Sequence, residues 1–172
     1  KSLNFAAMAA AVGMLSGVAQ AAPLLLPADS PIFVKYNNVE QVCLSNCIGN
    51  TSTSGDTWSE GNWGLVKVTT INVGTVVNIP PNNDIGNGSP TLFADGVTPG
   101  SVTGIFYGVD FTAIPTQGTG GYLDLYWNET STANVIDELN GGLAAIAANR
   151  TAQDAYTGFT DGEFLVRLKF MP

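Results

Sequence analysis

The sequence predicts a mainly β protein, an antiparallel β-sandwich with one short helical insert, preceded by a signal-peptide helix. Three observations carry that expectation. Apolar and polar residues alternate with period two in several runs rich in β-branched and aromatic side chains. Gly, Pro and Asn clusters separate those runs at irregular intervals, as turns between strands require. Only one stretch after the N-terminal segment, Ala133–Asn149, spaces its apolar residues as a helix does.

The N-terminal segment is read as addressing. Lys1 supplies a positive start, Phe5 to Val18 is almost wholly apolar or small, and Ala19-Gln20-Ala21 is an A-x-A cleavage site. The apolar run is shorter than the ~20 residues that a permanent membrane span needs. Residues 1–21 are therefore expected to be a secretory signal peptide, and residues 22–172 a single β-sandwich domain.

Each later element has its own warrant. Ala22 to Pro31 is punctuated by proline and reads as an extended lead-in. Ile32 to Val42 has strand character, with a bend expected at Asn37-Asn38. Asn46 to Asn62 is a polar loop rich in Gly and Ser. Trp63 to Val73 is the clearest strand, with Leu65, Lys67, Thr69 and Ile71 expected to face opposite to Val66, Val68 and Thr70. Thr75 to Ile79 reads as a short strand, and Pro80 to Pro90 as a loop. Thr91 to Ala94 is a strand that turns at Asp95-Gly96.

Ser101 to Phe111 alternates, placing Thr103, Ile105, Tyr107, Val109 and Phe111 on one face. Gly104 and Gly108 on the other face suggest a close approach or a bulge. Gly121 to Trp127 follows a glycine turn and points Leu123, Leu125 and Trp127 one way. In Ala133–Asn149, Val135, Ile136, Leu139, Leu143 and Ile146 line one side, interrupted by Gly141-Gly142. Gly162 to Phe170 closes the chain, with Phe164, Val166, Leu168 and Phe170 expected inward and Leu165, Arg167 and Lys169 outward.

Composition narrows function by exclusion. The 172 residues carry 6 Lys plus Arg, 14 Asp plus Glu and no His, for a formal charge of -8. Without histidine the chain holds no Ser-His-Asp triad, no histidine metal site and no histidine base. Its acidity argues against a nucleic-acid partner, which needs a basic stripe. There is no G-x-S-x-G elbow, P-loop or dinucleotide fingerprint.

Cys43 and Cys47 are the only cysteines, and in an exported chain they are expected to pair and pin the loop that follows. Their C-x3-C spacing differs from the C-x-x-C of redox motifs. Asp110, Asp124, Glu129, Asp137 and Glu138 include no pair selected by spacing for glycosidase chemistry, and read as solvated carboxylates. Asn82, Asn83, Asp84, Asn87, Asp56 and Glu60 offer hard oxygens for calcium, yet turn chemistry explains them equally. No metal and no other cofactor is expected. Trp58, Trp63 and Trp127 are read as core or loop plugs, or alternatively as platforms for stacking on sugar rings. Sequons begin at Asn50, Asn128 and Asn149.

The runs Trp63–Ile71, Leu92–Gly96, Val102–Val109 and Gly121–Tyr126, together with the signal segment, resemble exported bacterial proteins of the PEP-CTERM type. That resemblance implies a Gram-negative envelope protein handled by an exosortase and associated with extracellular matrix. The family's sorting tail, a V-P-E-P-like motif with a membrane helix and an Arg cluster, does not occur up to Pro172. Two expectations follow: either the sequence stops short of that tail, or the chain is a tail-less relative. The family has no agreed catalytic residues, so no role is carried over.

The leading expectation is therefore an exported, non-enzymatic cell-surface or extracellular-matrix protein that reaches its place through the periplasm. Its partners would be extracellular polysaccharide or other matrix proteins, with no nucleic acid. Membrane contact would come only through the signal peptide or a C-terminal anchor. A carbohydrate-binding module is the first alternative, a filament subunit completed by strand exchange the second, and an enzyme the weakest.

Overall fold

The computed structural model describes residues 24–42, 58, 60–74, 90–111, 118–129 and 148–170. The signal segment 1–21, Cys43 and Cys47, the expected strand Thr75–Ile79 and nearly all of the helical stretch Ala133–Asn149 lie outside the described residues. The described chain is mainly β and antiparallel. Its strands are β1 (Ile32–Val42), β2 (Asn62–Val73), β3 (Thr91–Ala94), β4 (Ser101–Phe111), β5 (Gly118–Thr119), β6 (Tyr122–Asn128), β7 (Arg150–Ala152), β8 (Ala155–Tyr156) and β9 (Glu163–Lys169).

One principal sheet runs in the order β1-β2-β4-β6-β9. β1 pairs along the whole of one edge of β2. The other edge is shared: Asn62–Lys67 pair with β4, and Thr70–Asn72 pair with β3. β5 pairs the end of β4, and β7 with β8 forms a separate two-stranded ribbon. Among the described residues this ribbon, not a second large sheet, lies beside the principal sheet.

Both faces of the central strands are buried, which explains why β2 and β4 carry apolar residues at consecutive positions. The first face gathers Val66, Val68, Ile71, Val102, Phe106, Val109, Leu123, Leu125 and Trp127, and Phe93 of β3 joins them. Leu24 and Leu26 of the lead-in pack on it as well. Phe93 meets Trp127 edge-on at 6.0 Å, so the strand hanging from β2 reaches across to β6. The second face gathers Trp63, Leu65, Ile105 and Tyr107 under Tyr156 and Phe159.

Register shifts interrupt several strand pairs, and those of β1 with β2, β2 with β4 and β6 with β9 each correct a sequence expectation. Lys35 and Tyr36 of β1 pair with Thr70 and Val68, leaving Thr69 as the extra residue of β2. Its hydroxyl donates to the Lys35 carbonyl at 3.1 Å, and its own carbonyl accepts from Asp95 N at 2.9 Å. The phase inverts there, so Ile71 joins Val66 and Val68 instead of opposing them.

In β4, Phe106 and Val109 sit opposite Gly64 and Asn62, so one residue is again extra. Gly108 absorbs it at φ +67°, a left-handed conformation that glycine adopts without strain. Val109 therefore lies with Phe106 and not with Tyr107. In β9, Val166 and Phe164 oppose Leu125 and Tyr126, leaving Leu165 unpaired. Leu165 packs partly buried against the first face, while Phe164 turns out beside Tyr126, with ring centroids 5.6 Å apart. Phe164 and Phe170, both expected inward, are exposed.

Candidate functional site

The second face carries two arginine–carboxylate pairs that the sequence did not announce. Arg150, the first residue of β7, places Nη1 2.6 Å from Glu60 Oε1, and neither side chain is exposed to solvent. Arg150 Nη2 also donates to the Gln153 carbonyl at 2.6 Å. The guanidinium lies 4.7 Å from the ring centre of Trp58 and 4.1 Å from that of Trp63. A desolvated cation between aromatic rings gains about 2 kcal/mol or more. The other oxygen of Glu60 accepts from Gly108 N at 2.6 Å, so the β4 bulge is tied to the same carboxylate. Burial pulls the Arg150 guanidinium below its ordinary range, and the Glu60 contact opposes that pull.

The second pair is more open. Arg167 of β9 grips Asp124 of β6 with two donors, Nε to Oδ1 at 2.8 Å and Nη2 to Oδ2 at 2.7 Å. Asp124 is fully buried while the Arg167 side chain is 47% exposed. Tyr107 donates its hydroxyl to Asp124 Oδ2 at 3.2 Å. The hydroxyl is pushed well above its usual range, first by burial and then by the Asp124 charge. Tyr126 moves in the same direction for the same leading reason. Asp154 approaches Arg167 at 3.4 Å, linking the ribbon turn to the sheet. Thr103 adds a further tie, donating to the Phe159 carbonyl at 2.6 Å.

These contacts place the sequence candidates. Trp63 and Trp127 are 2% and 4% exposed and lie on opposite faces of the sheet, so neither offers a free ring to a sugar and the three tryptophans form no shared platform. Trp58, partly exposed, turns its ring to Arg150. Glu60, offered above as a calcium ligand, is bound to Arg150 instead. Asp124, expected in solvent, is interior. Asp110 and Glu129 are exposed, as expected. Asn128 donates its amide to Thr103 Oγ1 at 2.8 Å, which ties up the nitrogen a glycan would need.

An exposed recess lies elsewhere, on the first face beside β1. A groove of about 340 Å³ is lined by Tyr36, Asn38 and Glu40 of β1, Asn62 of β2, Phe106 and Val109 of β4, and Gly118, Gly120 and Phe170. Tyr36, Asn38 and Glu40 occupy alternate positions, so they stand in a row on one side of their strand. Asn62 Nδ2 donates to Glu40 Oε2 at 3.4 Å across the strands. Sequence reasoning missed this row because Asn37-Asn38 reads as a bend, whereas β1 runs straight through both residues, paired with Lys67 and Val66. The motif Tyr-x-Asn-x-Glu was its available signal. No protein family, curated protein or solved structure matches this chain.

Proposed function

We propose that the chain is an exported, non-enzymatic β-sheet protein of a Gram-negative cell surface or extracellular matrix. The observation that carries this reading is the use made of the interior carboxylates. Glu60 and Asp124 are each held by an arginine that fastens the segment from Arg150 to Arg167 onto the sheet. A carboxylate committed to an arginine and shielded from water is a poor proton donor or acceptor for a substrate, so these groups serve architecture. The secretory pattern of residues 1–21 and the PEP-CTERM-like strand runs support the location. Extracellular polysaccharide or other matrix proteins are the proposed partners.

The test is expression of the whole chain behind an initiator methionine in a Gram-negative host, followed by fractionation and mass determination of the N-terminus. Export with a new N-terminus at Ala22 is expected, and deletion of residues 1–21 should strand the protein in the cytoplasm. An intact chain that keeps residues 1–21 in the cytoplasm overturns the location. Turnover of chromogenic glycoside or ester substrates by the purified protein overturns the non-enzymatic part.

A further inference from the structure

We propose that the groove beside β1 binds a neutral oligosaccharide, through Tyr36, Asn38, Glu40, Asn62 and Phe170. This deepens the proposed partnership with extracellular polysaccharide and rests on that reading for the source of the ligand, while its binding test is independent of the export test.

The chemistry of the lining selects the ligand class. Tyr36 and Phe170 are 47% and 38% exposed, so their rings remain open to a partner. Aromatic faces attract the apolar C–H faces of pyranose rings. The same lining carries two amides and a carboxylate, side chains that pair with neighbouring hydroxyls as donor and acceptor. The Asn62 to Glu40 hydrogen bond orients both groups before any ligand arrives. Among the described lining residues the ionisable groups are Glu40 and Tyr36, with no Lys or Arg, so a phosphate, sulfate or uronate would meet the Glu40 carboxylate without a cation to offset it.

Shape points the same way. From Tyr36 to Glu40 the row extends about 13 Å along an extended strand, longer than one sugar ring. Gly118 and Gly120 on the far side raise no side chains, which keeps the mouth open. Gly64 lets the Phe106 ring, which lines the groove, lie close against β2: a Cβ there would collide with that ring and with the Val39 carbonyl. The volume is at the small end of ligand pockets, which suits a short stretch of a chain polymer.

The test is an amide-shift NMR titration of the purified protein with cellotetraose, xylotetraose, mannotetraose and chitotetraose, with tetragalacturonate as the anionic control. At least one neutral tetraose should shift the amides of Tyr36, Asn38, Glu40, Asn62 and Phe170. Tyr36→Ala and Asn38→Ala should each weaken that binding by about tenfold, the loss of one good contact, with melting temperature unchanged because both side chains are exposed. Asn37→Ala, on the opposite side of the strand, should leave binding intact. Three outcomes overturn the proposal: no shifts with any neutral tetraose, shifts confined to another surface, or tetragalacturonate binding as tightly as the best neutral sugar.

Discussion

The two faces of the sheet are closed by different physics. The first face is covered by apolar contact, with Phe93, Leu24 and Leu26 laid over Val and Leu side chains. Such burial contributes in proportion to area and is non-directional. The second face has a smaller aromatic cluster and two arginine–carboxylate pairs. Those pairs are directional, so they specify where the ribbon of β7 and β8 sits as well as that it sits. The two pairs also differ from each other. Glu60 and Arg150 are both wholly interior, whereas Arg167 keeps 47% of its side chain in solvent while its partner Asp124 is interior. The first must be complete or absent; the second has water to replace a missing partner.

The sharpest way to break this comparison is to remove one member of the enclosed pair. Arg150→Ala leaves the Glu60 carboxylate interior without its cation, and should cost about 3–5 kcal/mol. Urea denaturation followed by tryptophan fluorescence reads it directly. Replacing both partners with apolar residues, Glu60→Leu with Arg150→Met, should recover much of that loss, because the desolvation cost disappears along with the attraction. A single-variant loss below about 1 kcal/mol would place the pair with ordinary surface ion pairs.

Arg167→Ala should cost less, about 1.5–3 kcal/mol, the range for hydrogen bonds to a charged group. Water entering beside β9 offsets part of the loss. If it matches Arg150→Ala, the half-open geometry of this pair is no protection and the contrast between the clamps fails.

The long strands were legible in the sequence because period two and β-branched density are local properties, whereas the short β7 and β8, and β5 within a stretch that reads as a glycine turn, were not. β4 begins and ends where the alternation of Ser101–Phe111 places it, and β1 is likewise bounded as read. The faces were less legible. Thr69, Gly108 and Leu165 each insert one residue into a strand pair, and such an insertion inverts every side chain beyond it. Gly108 carried a warning, as a glycine inside a strand. Thr69 and Leu165 carried none, since either fits a regular strand. The clamps were unreadable for another reason. Glu60 and Arg150 are 90 positions apart, Asp124 and Arg167 43 apart, and only the fold brings them together. The groove row was local and therefore readable, but its meaning depends on Phe170 and Gly118 arriving opposite it.

The smallest predicted effect concerns Tyr107, which joins the half-open clamp through its hydroxyl. At neutral pH Tyr107→Phe should cost about 1 kcal/mol, one net hydrogen bond. The more telling readout is alkaline. Burial and the Asp124 charge hold the folded-state hydroxyl protonated above the ordinary tyrosine range near 10. Above about pH 10 the unfolded chain has released that proton while the folded chain retains it. The unfolded state then binds fewer protons, so stability declines as pH rises, by up to about 1.4 kcal/mol per pH unit from this group. Below that range both states are protonated and the full contribution is present. Tyr126 shifts in the same direction, so the wild-type decline reflects both hydroxyls. Tyr107→Phe removes one of them: its stability curve should fall less steeply above pH 10 and converge on, then cross, that of the wild type. Parallel curves would show that the Tyr107 hydroxyl reaches water freely, and that the second face is open at the clamp where Arg167 enters.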